Sequence, residues 1–127
     1  MTLPRRLLLS ASVGLVVLGC QSGPSAVADG AVTVTSGAGV LRLQNSASVP
    51  VNYEILARDA APLIDWVPCA GPGCPAVPAH GTVTIPHSQV TGLSAGTTEV
   101  IVYWWRSIPN WKGGFQPDSV RVLVTRL

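Results

Sequence analysis

The sequence predicts an all-β protein built as a single antiparallel β-sandwich of about seven strands. Val and Thr are abundant and only 11% of the 127 residues are charged, a composition that favours strands over helices. Apolar and polar residues alternate with a period of two along most of the chain, as they do in strands with one buried face. The 13 Gly and 11 Pro fall mostly between these alternating segments. Short strands with frequent turn signals are typical of a sandwich or a small barrel.

The first twenty residues form a unit of their own. Arg5 and Arg6 precede a twelve-residue apolar stretch, residues 7–18, and the segment ends in Val17-Leu18-Gly19-Cys20. This arrangement resembles the signal peptide and lipobox of bacterial lipoproteins. The resemblance implies export, removal of residues 1–19, a lipid on the Cys20 thiol and acylation of the new amino terminus. Gln21 stands where an Asp would favour the inner membrane, so the resemblance implies an outer-membrane location facing the periplasm.

Two other interpretations of this segment remain open. An uncleaved membrane helix needs about 20 apolar residues, and the stretch here is shorter and interrupted by Ser10, Ser12 and Gly14. An ordinary signal peptide prefers small residues at two spaced positions before the cleavage site, whereas only Gly19 is small. The lipoprotein interpretation therefore fits best.

Removal of the signal peptide leaves one domain on a short linker. Residues 20–30 are rich in Ser, Gly, Ala and Pro, which predicts a flexible tether, and residues 31–127 form the sandwich domain. The domain and its linker carry six basic and six acidic side chains. A nucleic-acid-binding protein normally carries a basic patch, so we expect no nucleic-acid partner.

The alternation predicts each strand in turn. The predicted strands cover residues 32–35, 41–44, 49–58, 62–67, 82–85, 98–106 and 120–125. In the third, Val49 is expected to face the core and Asn52 to face water. In the sixth, both faces are apolar, which is typical of a central strand. Residues 68–81 and 107–117 are predicted loops.

Two adjacent strands carry a second resemblance. Residues 41–45 and 49–53, Leu-Arg-Leu-Gln-Asn and Val-Pro-Val-Asn-Tyr, are similar to strands B and C of bacterial immunoglobulin-like envelope domains. The resemblance implies an immunoglobulin-like architecture and no particular activity.

Cys69 and Cys74 remain once Cys20 carries the lipid. An oxidising compartment would join them in a disulfide that closes the Pro/Gly-rich loop. The alternative is a zinc site completed by His80 and His87, but the spacing matches no familiar zinc motif.

The aromatic residues concentrate in the second half of the chain. Consecutive residues of a strand face opposite sides of the sheet, so either Trp104 or Trp105 should lie in the core. The other is either covered by the loop that carries Trp111 and Phe115 or exposed as part of a binding surface. The candidate binding residues for the second case are Trp105, Trp111, Phe115 and Arg106.

These observations favour a non-enzymatic binding or structural module of the cell envelope. The expected partners are the lipid bilayer, through the acylated Cys20, and an envelope protein. The alternative is a carbohydrate- or peptidoglycan-binding module with exposed Trp residues. We assign no catalytic residue, no metal and no cofactor besides the lipid, because no G-x-S-x-G or H-E-x-x-H motif occurs and the six acidic residues are scattered.

Overall fold

The structure is a computed structural model that describes residues 25–127. Cys20 and the predicted signal peptide lie outside the described residues. Two antiparallel four-stranded sheets face each other, as the sequence predicts, although the described residues form eight strands rather than seven. The strands are β1 (Ser25–Asp29), β2 (Val32–Gly37), β3 (Val40–Asn45), β4 (Val51–Ala57), β5 (Ala76–Val77), β6 (Thr82–Pro86), β7 (Glu99–Pro109) and β8 (Phe115–Arg126). Among the described residues, no helix has the length and apolar character needed to cross a membrane.

The chain passes from one sheet to the other three times. Sheet 1 has the order β1-β2-β3-β6 and sheet 2 the order β5-β4-β7-β8. The chain therefore crosses from sheet 1 to sheet 2 between β3 and β4, returns for β6, and crosses again to β7. The two segments compared with strands B and C are β3 and β4, one in each sheet.

Alternating residues of both sheets form the core. The inward positions of β2 and β3 are fully buried, and the inward positions of β4, β7 and β8 meet them from sheet 2. The central members are Val32, Val34, Leu41, Leu43, Val51, Ile55, Val100, Val102 and Leu123. Burying a side chain of this kind contributes about 1.5–3 kcal/mol relative to leaving it exposed, so this period-two pattern is the main determinant of the fold.

The segment predicted to be a flexible tether contains the first strand. Residues 25–29 form β1 and pair in register with residues 32–36 of β2. The prediction is therefore wrong for these five residues, while residues 20–24 lie outside the described part of the chain. A Ser/Ala/Val segment without apolar periodicity can join a sheet because its backbone groups pair with β2, and Val27 packs against the core.

The predicted strand over residues 62–67 is absent. Ala61–Leu63 form a 3₁₀ turn and the following residues have no regular structure. The segment carries apolar residues on two sides. Trp66 packs onto Tyr103 of sheet 2, whereas Leu63 and Val67 are exposed to solvent. An apolar residue that covers a sheet face from a loop produces the same composition as a short strand.

Strand β4 also differs from its prediction at two residues. Val49 precedes the strand and is 40% exposed, whereas Asn52 is buried. Asn52 faces outward from sheet 2, as its parity predicts, but a later segment of the chain covers that face. The sequence pattern identifies the face of a strand, and only the tertiary structure shows whether that face meets water.

Strand β7 is central in sheet 2, between β4 and β8, as its two apolar faces predict. Both β7 and β8 extend much further than expected. The predicted loop over residues 107–117 is mostly strand, because Arg106–Pro109 pair with Phe115–Asp118 beyond an irregularity at Trp105. Only residues 110–114 form the turn.

One end of the sandwich carries the extended β7–β8 hairpin. Asp29, at the end of β1, accepts a hydrogen bond from Arg121 at 2.9 Å. Arg121 pairs across the sheet with Trp104 and lies over its indole ring, with 5.3 Å between the guanidinium carbon and the ring centroid. Beyond Trp104 and Arg121, β7 and β8 extend past the last residues of sheet 1. We call this the ribbon end.

The opposite end carries the start of β1. Ser25 pairs with Ser36, whose hydroxyl lies 3.4 Å from Nε2 of His87. The short turn after His87 leads to Thr91, whose backbone bonds to Ile55 and Ala57 at the end of β4. The amino-terminal end of the described chain and the β7–β8 hairpin therefore lie at opposite ends of the sandwich.

Tyr53 provides an alkaline pH dependence of stability. Burial raises the pKa of Tyr53 above its usual value of 10.0, and the neighbouring Glu54 carboxylate raises it further. The unfolded chain then loses this proton first, so the contribution is complete below about pH 10 and is lost as the pH rises through the folded pKa. We expect urea unfolding to show a loss of stability above about pH 10 that is smaller in Tyr53→Phe. An equal loss in the two proteins would contradict this assignment.

Candidate functional site

A loop folds over the outer face of sheet 2 beside the ribbon. We call residues 64–75 the covering loop. Its Trp66 ring packs on Tyr103 and Trp105, with centroid distances of 4.6 and 5.9 Å. Trp105 is only 1% exposed to solvent, and Trp104 on the opposite face of the sheet is 4% exposed. The two tryptophans do face opposite sides of the sheet, as predicted, and both are buried.

The disulfide lies in the covering loop. Cys69 and Cys74 are bonded to each other, which confirms the predicted pair. The Trp105 indole N–H donates a hydrogen bond of 2.9 Å to the Cys69 carbonyl oxygen. Because both sulfur atoms are consumed in the bond, the alternative zinc site with His80 and His87 is wrong for this form of the protein. The described residues contain no group of three or more His, Cys, Asp or Glu placed to hold a metal ion.

A short polar network joins the covering loop to β4 and β7. The Ser107 hydroxyl donates to Oδ1 of Asn52 and accepts a 2.9 Å hydrogen bond from the Gly71 amide. Nδ2 of Asn52 donates to the Pro75 carbonyl at 3.1 Å. Each member of the network is satisfied by another, so the buried polar groups carry little desolvation penalty. The network holds the loop in one position relative to the ribbon.

Removing the central hydroxyl tests this network. We expect Ser107→Ala to lower the free energy of unfolding by about 1–3 kcal/mol, because the Asn52 carbonyl and the Gly71 amide lose their partner. Urea denaturation monitored by tryptophan fluorescence measures the change. The exposed Ser88 provides the matched control, and Ser88→Ala should stay within about 0.5 kcal/mol. Equal stabilities of the two variants would show that Ser107 has no such role.

Beyond the sandwich, β7 and β8 form a two-stranded ribbon, residues 106–118. Its turn is organised by Asn110, whose side-chain oxygen accepts from the backbone amides of Lys112 and Gly114. This places Trp111 at the tip with 88% of its surface exposed. The Lys112 ammonium lies 5.0 Å from the centroid of the Trp111 ring, within the range of a cation–π interaction.

A cleft of about 630 Å³ lies between the ribbon and the covering loop. Its walls are mostly apolar, and three polar side chains, those of Asn52, Arg106 and Ser107, reach into it. The apolar lining comes from Val49, Pro50, Gly71, Pro72, Ala76, Ile108 and Phe115. Ligand pockets typically measure about 300–1,000 Å³ and combine an apolar lining with a few polar groups. The volume and lining of the cleft fall within this range, which makes it the candidate site.

The structure separates the four candidate binding residues. Arg106 and Phe115 line the cleft, Trp111 stands at the ribbon tip, and Trp105 is buried beneath the covering loop. The prediction that Trp105 contributes an exposed surface is therefore wrong, because Trp66 packs against its ring and its indole N–H is bonded to the Cys69 carbonyl. The loop that carries Trp111 does not cover the sheet, so the alternative packing prediction is also wrong.

Several residues that line the cleft are not among the binding residues predicted from the sequence. Val49 fits the pattern of a core-facing strand residue, Pro50 lies within the same predicted strand, and Ile108 falls in a predicted loop. The amide side chain of Asn52, beside the apolar residues of the strand, is the one sequence signal for the cleft. It indicates a polar partner on that face, but it does not indicate which segment supplies one.

Comparisons with known proteins return nothing for this chain: no protein-family model, no curated protein and no solved structure matches it.

Proposed function

We propose that this protein is an exported, lipid-anchored envelope protein whose β-sandwich is a non-enzymatic module that binds a partner protein through the ribbon and the adjacent cleft. The observation that carries the proposal is the exposure of Trp111 at the tip of a ribbon that projects beyond the sandwich. A large aromatic side chain on a surface gains most when a partner covers it, and Trp is enriched among the residues that dominate binding energy.

The positions of the two ends support this arrangement. With a strand rise of about 3.3 Å per residue, the four steps of β1 and the five steps from Trp104 to Pro109 separate Ser25 from the ribbon tip by roughly 30 Å. Residues 20–24 span at most about 18 Å when fully extended. A domain anchored through Cys20 and standing on the membrane would therefore present the ribbon away from that membrane, toward a partner.

The disulfide agrees with the proposed compartment. Disulfides persist in oxidising environments, including the bacterial periplasm, and are rare in the cytosol. The Cys69–Cys74 bond holds one wall of the cleft, so export and binding would depend on the same bond.

Site-specific crosslinking in the native envelope tests the proposal. A photoreactive residue at Trp111 should crosslink to one defined envelope protein, whereas the same residue at Arg42, exposed on the outer face of sheet 1, should not. Mass spectrometry of the purified protein should show a diacyl or triacyl group on Cys20. Absence of the lipid would refute the anchor, and identical crosslinking patterns from both positions would refute the binding site.

A second candidate function is carbohydrate binding, which the exposed Trp111 ring also favours. Aromatic rings stack on the apolar faces of sugars, and Trp111 and Phe115 are exposed aromatic residues on the ribbon. Titration with peptidoglycan fragments should then change the fluorescence of the wild-type protein and leave that of Trp111→Ala unchanged. A flat titration of the wild-type protein would exclude this candidate.

A further inference from the structure

We propose that the cleft takes an extended peptide segment of the partner protein, which pairs as an added strand with the open edge of β7 and places a carboxylate against Arg106. The inference rests on the proposed function, because it names the partner chemistry that the same site would recognise.

The pairing between β4 and β7 stops where the cleft begins. Asn52 pairs with Trp105 at the end of the β4–β7 ladder. If the register continued by two residues, Pro50 would stand opposite Ser107 with the same backbone orientation as Asn52. Pro50 has no amide hydrogen and cannot donate to Ser107. Strand β7 nevertheless continues to Pro109, and within the described residues its last four positions pair only with β8.

The register with β8 shows which backbone groups face the cleft. Ser107 lies opposite Pro117, and Pro117 has no amide hydrogen to donate. Further along the same ladder the Asn110 amide donates to the Gly114 carbonyl, so that pair is hydrogen-bonded. Hydrogen-bonded and non-hydrogen-bonded pairs alternate, which makes Ser107–Pro117 a non-hydrogen-bonded pair, in which the N–H and C=O of Ser107 point away from β8. Two residues further on, the Pro109 carbonyl points the same way. These three groups form an open strand edge, which is a template for pairing with another chain.

The walls of the cleft suit an extended, largely apolar segment. Residues 106–109 extend over about 13 Å at strand rise, enough to pair with three or four residues of a partner. Val49 and Pro50 form one side, Pro72 another, and Ile108 and Phe115 the ribbon side. An added strand presents alternate side chains to such walls while its backbone pairs with the edge.

The charges of the ribbon define the remaining feature of the partner. The ribbon carries Arg106, Lys112 and Asp118. Asp118 lies opposite Arg106 in the β7–β8 register, but none of the three side chains forms an ion pair within the described residues. Arg106 lines the cleft. Elsewhere in the sandwich, Arg58 and Arg121 are paired with Glu99 and Asp29. The unpaired excess of one positive charge at the ribbon is complementary to an acidic side chain or a terminal carboxylate.

A peptide titration tests the inference. The probes are a panel of pentapeptides of alternating Thr and Val, with Leu, Phe or Tyr substituted at the Val positions and a free terminal carboxylate. Binding is followed by ¹⁵N chemical shifts of the folded domain. We expect at least one probe to shift the Ser107 and Ile108 amides and to slow hydrogen exchange at the Ser107 amide. N-methylation of alternate peptide bonds should abolish binding, because it removes the donors of the added strand.

Arg106 is tested separately with the same probes. Arg106→Gln should weaken binding of the carboxylate peptide about tenfold and leave the affinity of its amidated counterpart unchanged. Arg42→Gln, on the outer face of sheet 1, is the matched control and should change neither affinity. Equal binding of N-methylated and unmodified peptides, or no shift with any member of the panel, would overturn strand addition. A crosslinked partner at Trp111 would in that case still support the proposed function, whereas its absence would refute the function whatever the peptides do.

Discussion

Trp105→Ala is expected to lower the free energy of unfolding by about 3–5 kcal/mol, the largest loss among the substitutions considered for this protein. The side chain is 1% exposed, packs against Trp66 and donates to the Cys69 carbonyl. Truncation removes its buried area, leaves a cavity under the covering loop and leaves a carbonyl oxygen without its donor. Equilibrium denaturation measured by far-ultraviolet circular dichroism gives the change without relying on tryptophan emission.

Two variants separate the contributions of Trp105. Trp105→Phe retains an aromatic ring but loses the indole N–H, and we expect a smaller loss of about 1–3 kcal/mol. Trp111→Ala removes a side chain of the same type from an exposed position and should stay within about 0.5 kcal/mol of the wild type. A Trp105→Ala protein as stable as Trp111→Ala would show that the covering loop does not pack as described.

Trp111→Ala is expected to have the opposite profile, with a large effect on binding and none on folding. If the proposed function holds, loss of this side chain should weaken the affinity for the crosslinked partner at least 30-fold, which corresponds to about 2 kcal/mol or more. The physical reason is that the exposed ring is buried only in the complex. Surface plasmon resonance with the identified partner measures the affinity.

The matched control for Trp111 is another exposed apolar residue. Leu63 is 89% exposed and Trp111 88%, but Leu63 lies in a turn away from the cleft and the ribbon. Leu63→Ala should leave the affinity within about threefold of the wild type. Equal losses in the two variants would indicate general apolar adhesion rather than a defined site at the ribbon.

The sequence by itself determined the fold class, because the period-two pattern states which residues each strand can bury. It predicted β2, β3, β6 and the centre of β7 closely, and it placed Trp104 and Trp105 on opposite faces. It also predicted the disulfide, because two nearby cysteines in a chain expected to be exported have few other uses. The lipid anchor on Cys20 stays a prediction from the sequence, since that residue lies outside the described part of the chain.

The tertiary structure alone decided what covers each face and where pairing stops. Asn52 and Trp105 are both outward-facing residues of sheet 2, and they are buried only because a segment ending at Pro75 folds back over them. Ser107 leaves one backbone edge open because its groups point away from β8 and the β4–β7 ladder ends at Asn52, with Pro50 just before β4. Such relations depend on non-local register, whereas alternation along one strand carries information about that strand alone.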